Sequence, residues 1–137
     1  MKRSIIALLL IGAIGVIAWQ TFRTTEKKVA TGAPIVSVNV PDFAGSELIG
    51  RAAFNDNCAA CHGADAAGQD GVAPPLVHKI YEPSHHGDEA FYRAALLGVQ
   101  RHHWPFGNMP AVEGITRDQV APIIAYVRAL QRANGIH

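Results

Sequence analysis

The sequence predicts an all-α protein: a small domain of three to four helices, preceded by a single N-terminal transmembrane helix. Two observations indicate this fold class. Residues 4–22 contain no charged side chain, and a run of that length can cross a membrane. From Ser46 onward, apolar residues recur at helical spacing between capping signals and two loops rich in Gly and Pro.

Length and composition limit the classes of protein that fit. The chain has 137 residues, of which 49% are hydrophobic and 17% are charged, which suits one domain of about 100 residues with an appendage. The apolar content excludes intrinsic disorder, and two Cys are too few for a disulfide scaffold. There is no block of Lys and Arg, so nucleic acid is not expected as a partner.

Residues 1–23 are predicted to be a membrane anchor. Lys2 and Arg3 precede an apolar run that ends at Trp19; the 19 uncharged residues span about 28 Å as a helix, close to the ~30 Å hydrocarbon core of a bilayer. A cleaved signal peptide is the alternative, but the end of the run, Trp19-Gln20, lacks the small residues of a cleavage site. Under either hypothesis the rest of the chain is exported.

Residues 24–45 are predicted to be a linker, because Thr, Lys, Gly and Pro dominate the first part of this segment. Val36, Val38 and Val40 alternate with polar residues, which would suit one short extended piece that ends at Pro41. The sequence offers no partner strand, so no sheet is expected. Residues 1–28 carry five Lys or Arg against one Glu, a balance of +4, whereas the remainder has seven against ten Asp or Glu, a balance of −3.

Two helices are predicted after the linker. The first begins with Ser46 as its N-cap and runs towards Cys58. The second spans about 88–97, with Asp88 as its N-cap and Gly98 as its stop signal. A long irregular loop rich in Gly and Pro separates them.

A final helix completes the predicted domain, residues 46–137. A capping box opens at Thr116, and the helical pattern extends to about Ala133. Pro122 conflicts with this pattern because it removes a backbone donor. The helix is therefore expected either to kink at Pro122 or to begin its regular part near Ala121.

Residues 58–62 read CAACH and carry the clearest chemical signal. The C-x-x-C-H pattern is the attachment site of a c-type haem. Residues three apart share one face of a helical turn, so the thiols of Cys58 and Cys61 can reach the two vinyl groups of one porphyrin, and His62 can reach its iron. A redox dithiol, which needs a preceding strand, and a zinc site, which needs further ligands, are the alternatives. One covalently bound haem c is expected.

From about Ser46 to Gly135, the chain resembles a class I cytochrome c with one haem and His/Met ligation. The motifs occur in the order of that family: a helix ending in C-x-x-C-H, a loop with P-x-L, a helix, a loop with a Met and a C-terminal helix. The resemblance covers about two thirds of the chain. It implies the small cytochrome c fold, in which the helices surround the haem.

The resemblance also implies the ligands. His62 would be the proximal ligand of the iron and Met109 the distal one. Met109 is the only Met besides the initiator and lies in a loop rich in Gly and Pro; a gap-filling core Met is the alternative. The carbonyl of Pro74 would accept the second ring proton of His62, and Leu76 would pack against the haem, although both residues also suit an ordinary loop and core.

Gly50 and Phe54 resemble the family's paired Gly and aromatic residue, which cross the last helix, here near Tyr126. Gly allows the helices to approach closely, and the two aromatic rings bury a large area. A domain of this size buries only a marginal core by itself. The haem is therefore expected to complete the core, and folding without haem is expected to be poor.

A second group of histidines departs from the family's pattern. His102 and His103 precede Trp104, and His85 and His86 lie earlier in the chain. Four interpretations stay open. The four histidines form a copper or second-haem site, His103 replaces the methionine ligand of the iron, one His binds a haem propionate beside Trp104, or the segment is a solvated loop, which is the interpretation favoured.

These expectations favour an electron carrier over an enzyme, because an iron with two protein ligands has no position open for a substrate. We expect a single-pass protein of the bacterial inner membrane whose haem domain faces the periplasm. By resemblance, its partners are a quinol-oxidising complex, a terminal oxidase or a periplasmic dehydrogenase. The alternatives are a non-catalytic subunit of a larger oxidoreductase or oxidase complex, and a haem-based ligand-binding or sensing module.

Overall fold

The computed structural model describes residues 32–137, and α-helices dominate this part of the chain. The α-helices are α1 (Ser46–Asn57), α2 (Ala59–His62), α3 (Asp88–Leu97) and α4 (Arg117–Ala133). Two 3₁₀ turns, Ala64–Ala66 and Lys79–Tyr81, lie between α2 and α3. The helical fold class is thereby confirmed. The predicted transmembrane helix lies outside the described residues, and within 32–137 no helix combines the length and apolar character needed to cross a bilayer.

The crossing of α1 and α4 forms the centre of the fold. A Cβ atom added at Gly50 would overlap the carbonyl of Pro122 in α4, so only Gly allows the two backbones to approach this closely. Phe54 and Tyr126 are fully buried beside the crossing, with ring centroids 5.4 Å apart. The predicted crossing of the last helix by Gly50 and Phe54, near Tyr126, is therefore confirmed. The surrounding core consists of apolar side chains: Ala66, Val77, Ile115, Val120, Ile123, Ile124, Val127 and Leu130.

The starts of α1 and α3 differ from the prediction by one residue. Gly45, not Ser46, is the N-cap of α1, and Gly87, not Asp88, is the N-cap of α3; neither makes a side-chain capping bond. Asp88 does not cap because its carboxylate instead accepts a hydrogen bond from Arg128 Nε at 2.9 Å. A tertiary contact has thus replaced the local contact that the sequence favours.

Helix α4 begins where the capping box predicts. Gln119 N–H donates to the Thr116 hydroxyl, and the Gln119 side chain accepts from Thr116 N–H at 3.0 Å. The helix then continues through Pro122 without interruption, so a start near Ala121 is wrong. The donor that Pro122 lacks would have met the carbonyl of Asp118, an exposed residue of the first turn that water can hydrate.

Residues 32–45 form no strand but lie against the helices. Val38 and Phe43 pack on the core, and the Phe43 ring lies 5.0 Å from that of Tyr126. Asn39 N–H donates to Asn134 Oδ1 at 2.8 Å, and Asn134 Nδ2 donates back to the Asn39 carbonyl at 2.8 Å. This part of the segment is therefore fixed to the end of α4.

Candidate functional site

All four helices line one large cavity. It encloses about 1270 Å³, counting the space open to solvent. Its walls are mostly apolar and include Phe54 of α1, Phe91 of α3 and Ile123 of α4. The residues singled out from the sequence also lie on its walls: Cys58, Cys61, His62, Pro74, Leu76 and Met109. The fold thus brings together residues that are up to 51 positions apart in the sequence (58 to 109).

Helix α2 presents the C-x-x-C-H motif to this cavity. It is a separate turn after α1, closed by bonds from Cys61 N–H and His62 N–H to the Cys58 carbonyl at 3.1 and 2.9 Å. Cys58 is half-buried and Cys61 is exposed. Burial and the neighbouring Cys61 raise the pKa of the Cys58 thiol to about 12. A redox dithiol needs a lowered thiol pKa, so this environment disfavours that alternative.

The His62 ring is buried and held in one orientation. Only 8% of the residue is exposed, and Nδ1 lies 2.9 Å from the carbonyl oxygen of Pro74. A carbonyl can only accept, so Nδ1 carries the proton and Nε2 keeps a free lone pair. Desolvation lowers the pKa of His62, and the Pro74 hydrogen bond offsets part of this effect. His62 is thus the neutral imidazole that a metal requires.

Met109 is fixed on another wall of the same cavity. Val99 N–H donates to the Met109 carbonyl and Met109 N–H donates to the Val99 carbonyl, both at 2.9 Å. Gly98, at φ 77°, closes α3, and a Cβ there would lie 2.6 Å from the Met109 carbonyl oxygen. The end of α3 therefore sets the position of the Met109 loop, a pairing that the sequence does not indicate.

Leu76 is half-buried and belongs to both the cavity wall and the edge of the core. Its N–H donates to the carbonyl of Ala66 at 2.9 Å. Ala66 and Asp65 both have positive φ, 57° and 51°, and the Tyr126 hydroxyl donates to Asp65 Oδ1 at 3.1 Å. Helix α4 thus holds the loop after the haem motif in an uncommon conformation, which sequence reasoning missed because neither residue is Gly.

Arg128 is a positioning residue that the sequence analysis also missed. It is only 8% exposed, and its guanidinium donates to Asp88, to the carbonyls of Tyr81 and His86 at 2.7 and 2.6 Å, and to Gln131. It thereby ties the loop that carries His86 to α4. No sequence signal distinguishes Arg128 from an exposed basic residue of a helix, since its hydrogen-bond partners other than Gln131 lie at least 40 positions away.

Trp104 offers a polar contact to whatever fills the cavity. Its Nε1 is buried and has no hydrogen-bond partner among the described residues. Burial raises the pKa of the Tyr81 hydroxyl, and the indole group of Trp104 nearby offsets part of that rise. A large apolar cavity with two thiols, a neutral imidazole and a free N–H donor fits a haem, whose carboxylate groups need donors.

The four histidines of the second group lie together at the same cavity. His86, His102 and His103 are on its wall, and His85 Nε2 lies 3.3 Å from His103 Nε2. The pKa of His103 is lowered, first because its ring loses hydration and then because the other three imidazoles lie beside it. The sequence proposed this association as one of four interpretations, and the structure brings the rings into contact.

The fold and the cavity define a class of protein: a small helical domain that encloses a haem bound through the thiols of one C-x-x-C-H motif. A family model described as cytochrome c matches residues 48–131, and the chain belongs to the cytochrome c family. It therefore carries a covalently attached c-type haem, for which Cys58 and Cys61 supply the two thiols. Such a domain is typical of electron carriers. No curated protein and no solved structure matches the chain.

Proposed function

We propose that this protein is a membrane-tethered electron carrier of the periplasm, whose single haem has His62 and Met109 as axial ligands. The observation that carries the proposal is that both residues lie on the walls of one cavity, together with the two thiols that attach the haem. Met109 is the only thioether in residues 32–137. With both ligands bound, no position is open for a substrate or a gas.

The bound haem supplies a one-electron couple, Fe(II)/Fe(III). Pro74 fixes the orientation of the His62 ring and makes the imidazole more basic by accepting from Nδ1. A His/Met ligand pair raises the reduction potential. The mostly apolar walls would limit the access of water to the haem, and Cys61, one of the two attachment thiols, is an exposed residue on these walls.

Carbon monoxide tests this proposal against the sensing alternative. We expect that the optical spectrum of the reduced, haem-loaded protein does not change when carbon monoxide is added, because Met109 occupies the sixth position. The variant Met109→Ala is the positive control and should bind carbon monoxide. Ready binding by the wild-type protein would overturn the proposal and favour a haem-based sensor.

Attachment to the membrane is part of the same proposal. Residues 1–23 would hold the domain at the periplasmic face of the bacterial inner membrane. A tether keeps a carrier at a high effective concentration near membrane-bound partners. The partners we propose are a quinol-oxidising complex, a terminal oxidase or a periplasmic dehydrogenase. Support comes from the 19 uncharged residues and from the haem motif, which suits an exported protein.

Fractionation of cells that produce the full chain tests the tether. We expect the haem protein in the membrane fraction after a high-salt wash, with an intact mass that includes residues 1–23. A soluble periplasmic protein that lacks these residues would show that they are a cleaved signal peptide. Recovery of the protein only in a fixed ratio with other redox subunits would instead support the alternative of a subunit in a larger complex.

A further inference from the structure

We propose that His85, His86 and His103 form a binding site for one divalent transition-metal ion, with Cu²⁺ as the ion bound most tightly. One ligand nitrogen from each of the three rings lies within 4.8 Å of the other two. The rings come from two loops, one before α3 and one after it. Neither His62 nor Met109 takes part, so the site is separate from the proposed haem ligands and does not depend on them.

One pair in this cluster has the spacing of two metal ligands. His85 Nε2 and His103 Nε2 are 3.3 Å apart. Two imidazole nitrogens bound at about 2.0–2.1 Å to one tetrahedral ion lie about 3.3 Å apart. The two nitrogens can share a proton in the absence of metal, and a metal ion between them would use both lone pairs at once.

The third ligand is already oriented for coordination. His86 Nδ1 donates to the carbonyl of Ile80 at 2.7 Å, so the lone pair of this ring is on Nε2. Metal-binding histidines commonly make this kind of bond through their second nitrogen. Arg128 in turn donates to the His86 carbonyl at 2.6 Å. The backbone and the ring of His86 are therefore both fixed before any ion arrives.

A fourth imidazole lies next to the three. His102 stacks on His86 with ring centroids 5.8 Å apart, and its Nδ1 donates to the Gln100 carbonyl at 2.9 Å. Its Nε2 is thus also free of a proton. His102 is therefore a candidate for the fourth ligand, and water is the alternative.

The ligand set selects the type of ion. Imidazole nitrogens suit Cu²⁺, Zn²⁺ and Ni²⁺, whereas Ca²⁺ and Mg²⁺ prefer oxygen ligands, which this cluster lacks. Among divalent ions of the first transition row, Cu²⁺ binds a given nitrogen site most tightly. The site therefore takes Cu²⁺ in preference to Zn²⁺ when both are present.

Titration of the full-length, haem-loaded protein with Cu²⁺ and with Zn²⁺ tests the proposal. We expect saturation at one equivalent, displacement of Zn²⁺ by Cu²⁺, and an electron paramagnetic resonance spectrum of Cu²⁺ with nitrogen hyperfine structure. His85→Gln and His103→Gln should each weaken Cu²⁺ binding by at least about tenfold. His137→Gln, a change at an exposed histidine outside the cluster, is the matched control and should bind as the wild type does.

Three results would overturn the proposal. The first is the absence of saturable binding at one equivalent. The second is unchanged Cu²⁺ affinity in His85→Gln and His103→Gln. The third is a change of the axial-ligand bands of the haem in His103→Gln, because it would assign His103 to the iron. An unchanged circular dichroism spectrum of each variant shows that the fold is retained, so weaker binding then reports the loss of a ligand.

Discussion

Gly50 allows α1 and α4, the two longest helices of the domain, to pack closely because it has no side-chain methyl group. A Cβ atom there would overlap the backbone carbonyl of Pro122, which cannot move without shifting α4. We therefore expect Gly50→Ala to lower the free energy of unfolding of the haem-loaded protein by about 1–3 kcal/mol. Denaturant titration measures this change.

Gly87→Ala is the matched control for that substitution. Gly87 has φ −62°, and the nearest atom to an added Cβ is the Pro83 carbonyl oxygen at 3.6 Å, an ordinary contact. We expect a cost below about 1 kcal/mol, from the weaker N-cap. Equal losses in the two variants would mean that close packing at Gly50 is not what holds α1 against α4.

Ionisation of Tyr126 should lower the stability of the folded protein at high pH. Its hydroxyl donates to Asp65 in the loop after the haem motif. Burial and the carboxylate of Asp65 raise the pKa of its phenol above the ordinary value of about 10. The unfolded chain therefore releases this proton first, so the contribution of Tyr126 to stability is complete below pH about 10 and is lost as the pH rises further.

Unfolding measured between pH about 9 and about 11 tests this linkage. The free energy of unfolding should fall more steeply with pH in the wild type than in Tyr126→Phe. Tyr81, whose pKa is also raised by burial, continues to titrate in both proteins. An identical slope in the variant would show that the Tyr126 proton is not retained by the folded state.

At the scale of elements, the segment before α1 packs on the core and is bound to the end of α4. Phe43 and Val38 pack on the core, and Asn39 and Asn134 exchange two hydrogen bonds. A chain that begins at residue 46 should therefore be less stable than one that begins at residue 32 by about 1–2 kcal/mol, since it loses the partly buried side chains of Phe43 and Val38.

Thermal or denaturant unfolding compares the two chains, each exported behind the same cleavable signal sequence and loaded with haem. Phe43→Ala in the full chain should reproduce part of the loss, whereas Val40→Ala, a change at a more exposed position, should cost little. Equal stability of the two truncated chains would show that residues 32–45 behave as a linker throughout.

Helix boundaries illustrate what local sequence can and cannot predict. The capping box at Thr116 and the stop at Gly98 were predicted correctly because each depends on residues next to the boundary. Asp88 was assigned wrongly because its carboxylate binds Arg128, 40 positions away. The sequence left open whether α4 continues through Pro122, because the carbonyl that loses its donor lies in an exposed first turn that water can hydrate.

At the scale of the whole molecule, the haem cavity is in contact with every α-helix of the domain. All four helices line it, so an apolar group that fills it joins the elements together. We expect the double variant Cys58→Ala/Cys61→Ala, which cannot attach haem, to lose helical circular dichroism and to unfold at lower temperature without a sharp transition. A cooperative transition at the wild-type temperature would show that the polypeptide folds independently of haem.

The sequence predicted the haem site itself, but it did not predict the long-range contacts that hold the site in position. The spacing of Cys58, Cys61 and His62 is local, so the motif alone indicated the haem. The contacts that position the site are long-range: Arg128 with the Tyr81 and His86 carbonyls, and Val99 with Met109. Residues that act through such contacts show no local sequence pattern, because only folding brings the two partners together.

The most direct measurement for the proposed carrier is the far-red absorption band of the ferric, haem-loaded protein, which reports a thioether sulfur bound to haem iron. We expect the wild type to show this band, Met109→Ala to lose it and His103→Gln to keep it. A wild-type protein without the band, or a band that disappears in His103→Gln and persists in Met109→Ala, would contradict His62 and Met109 as the pair of axial ligands.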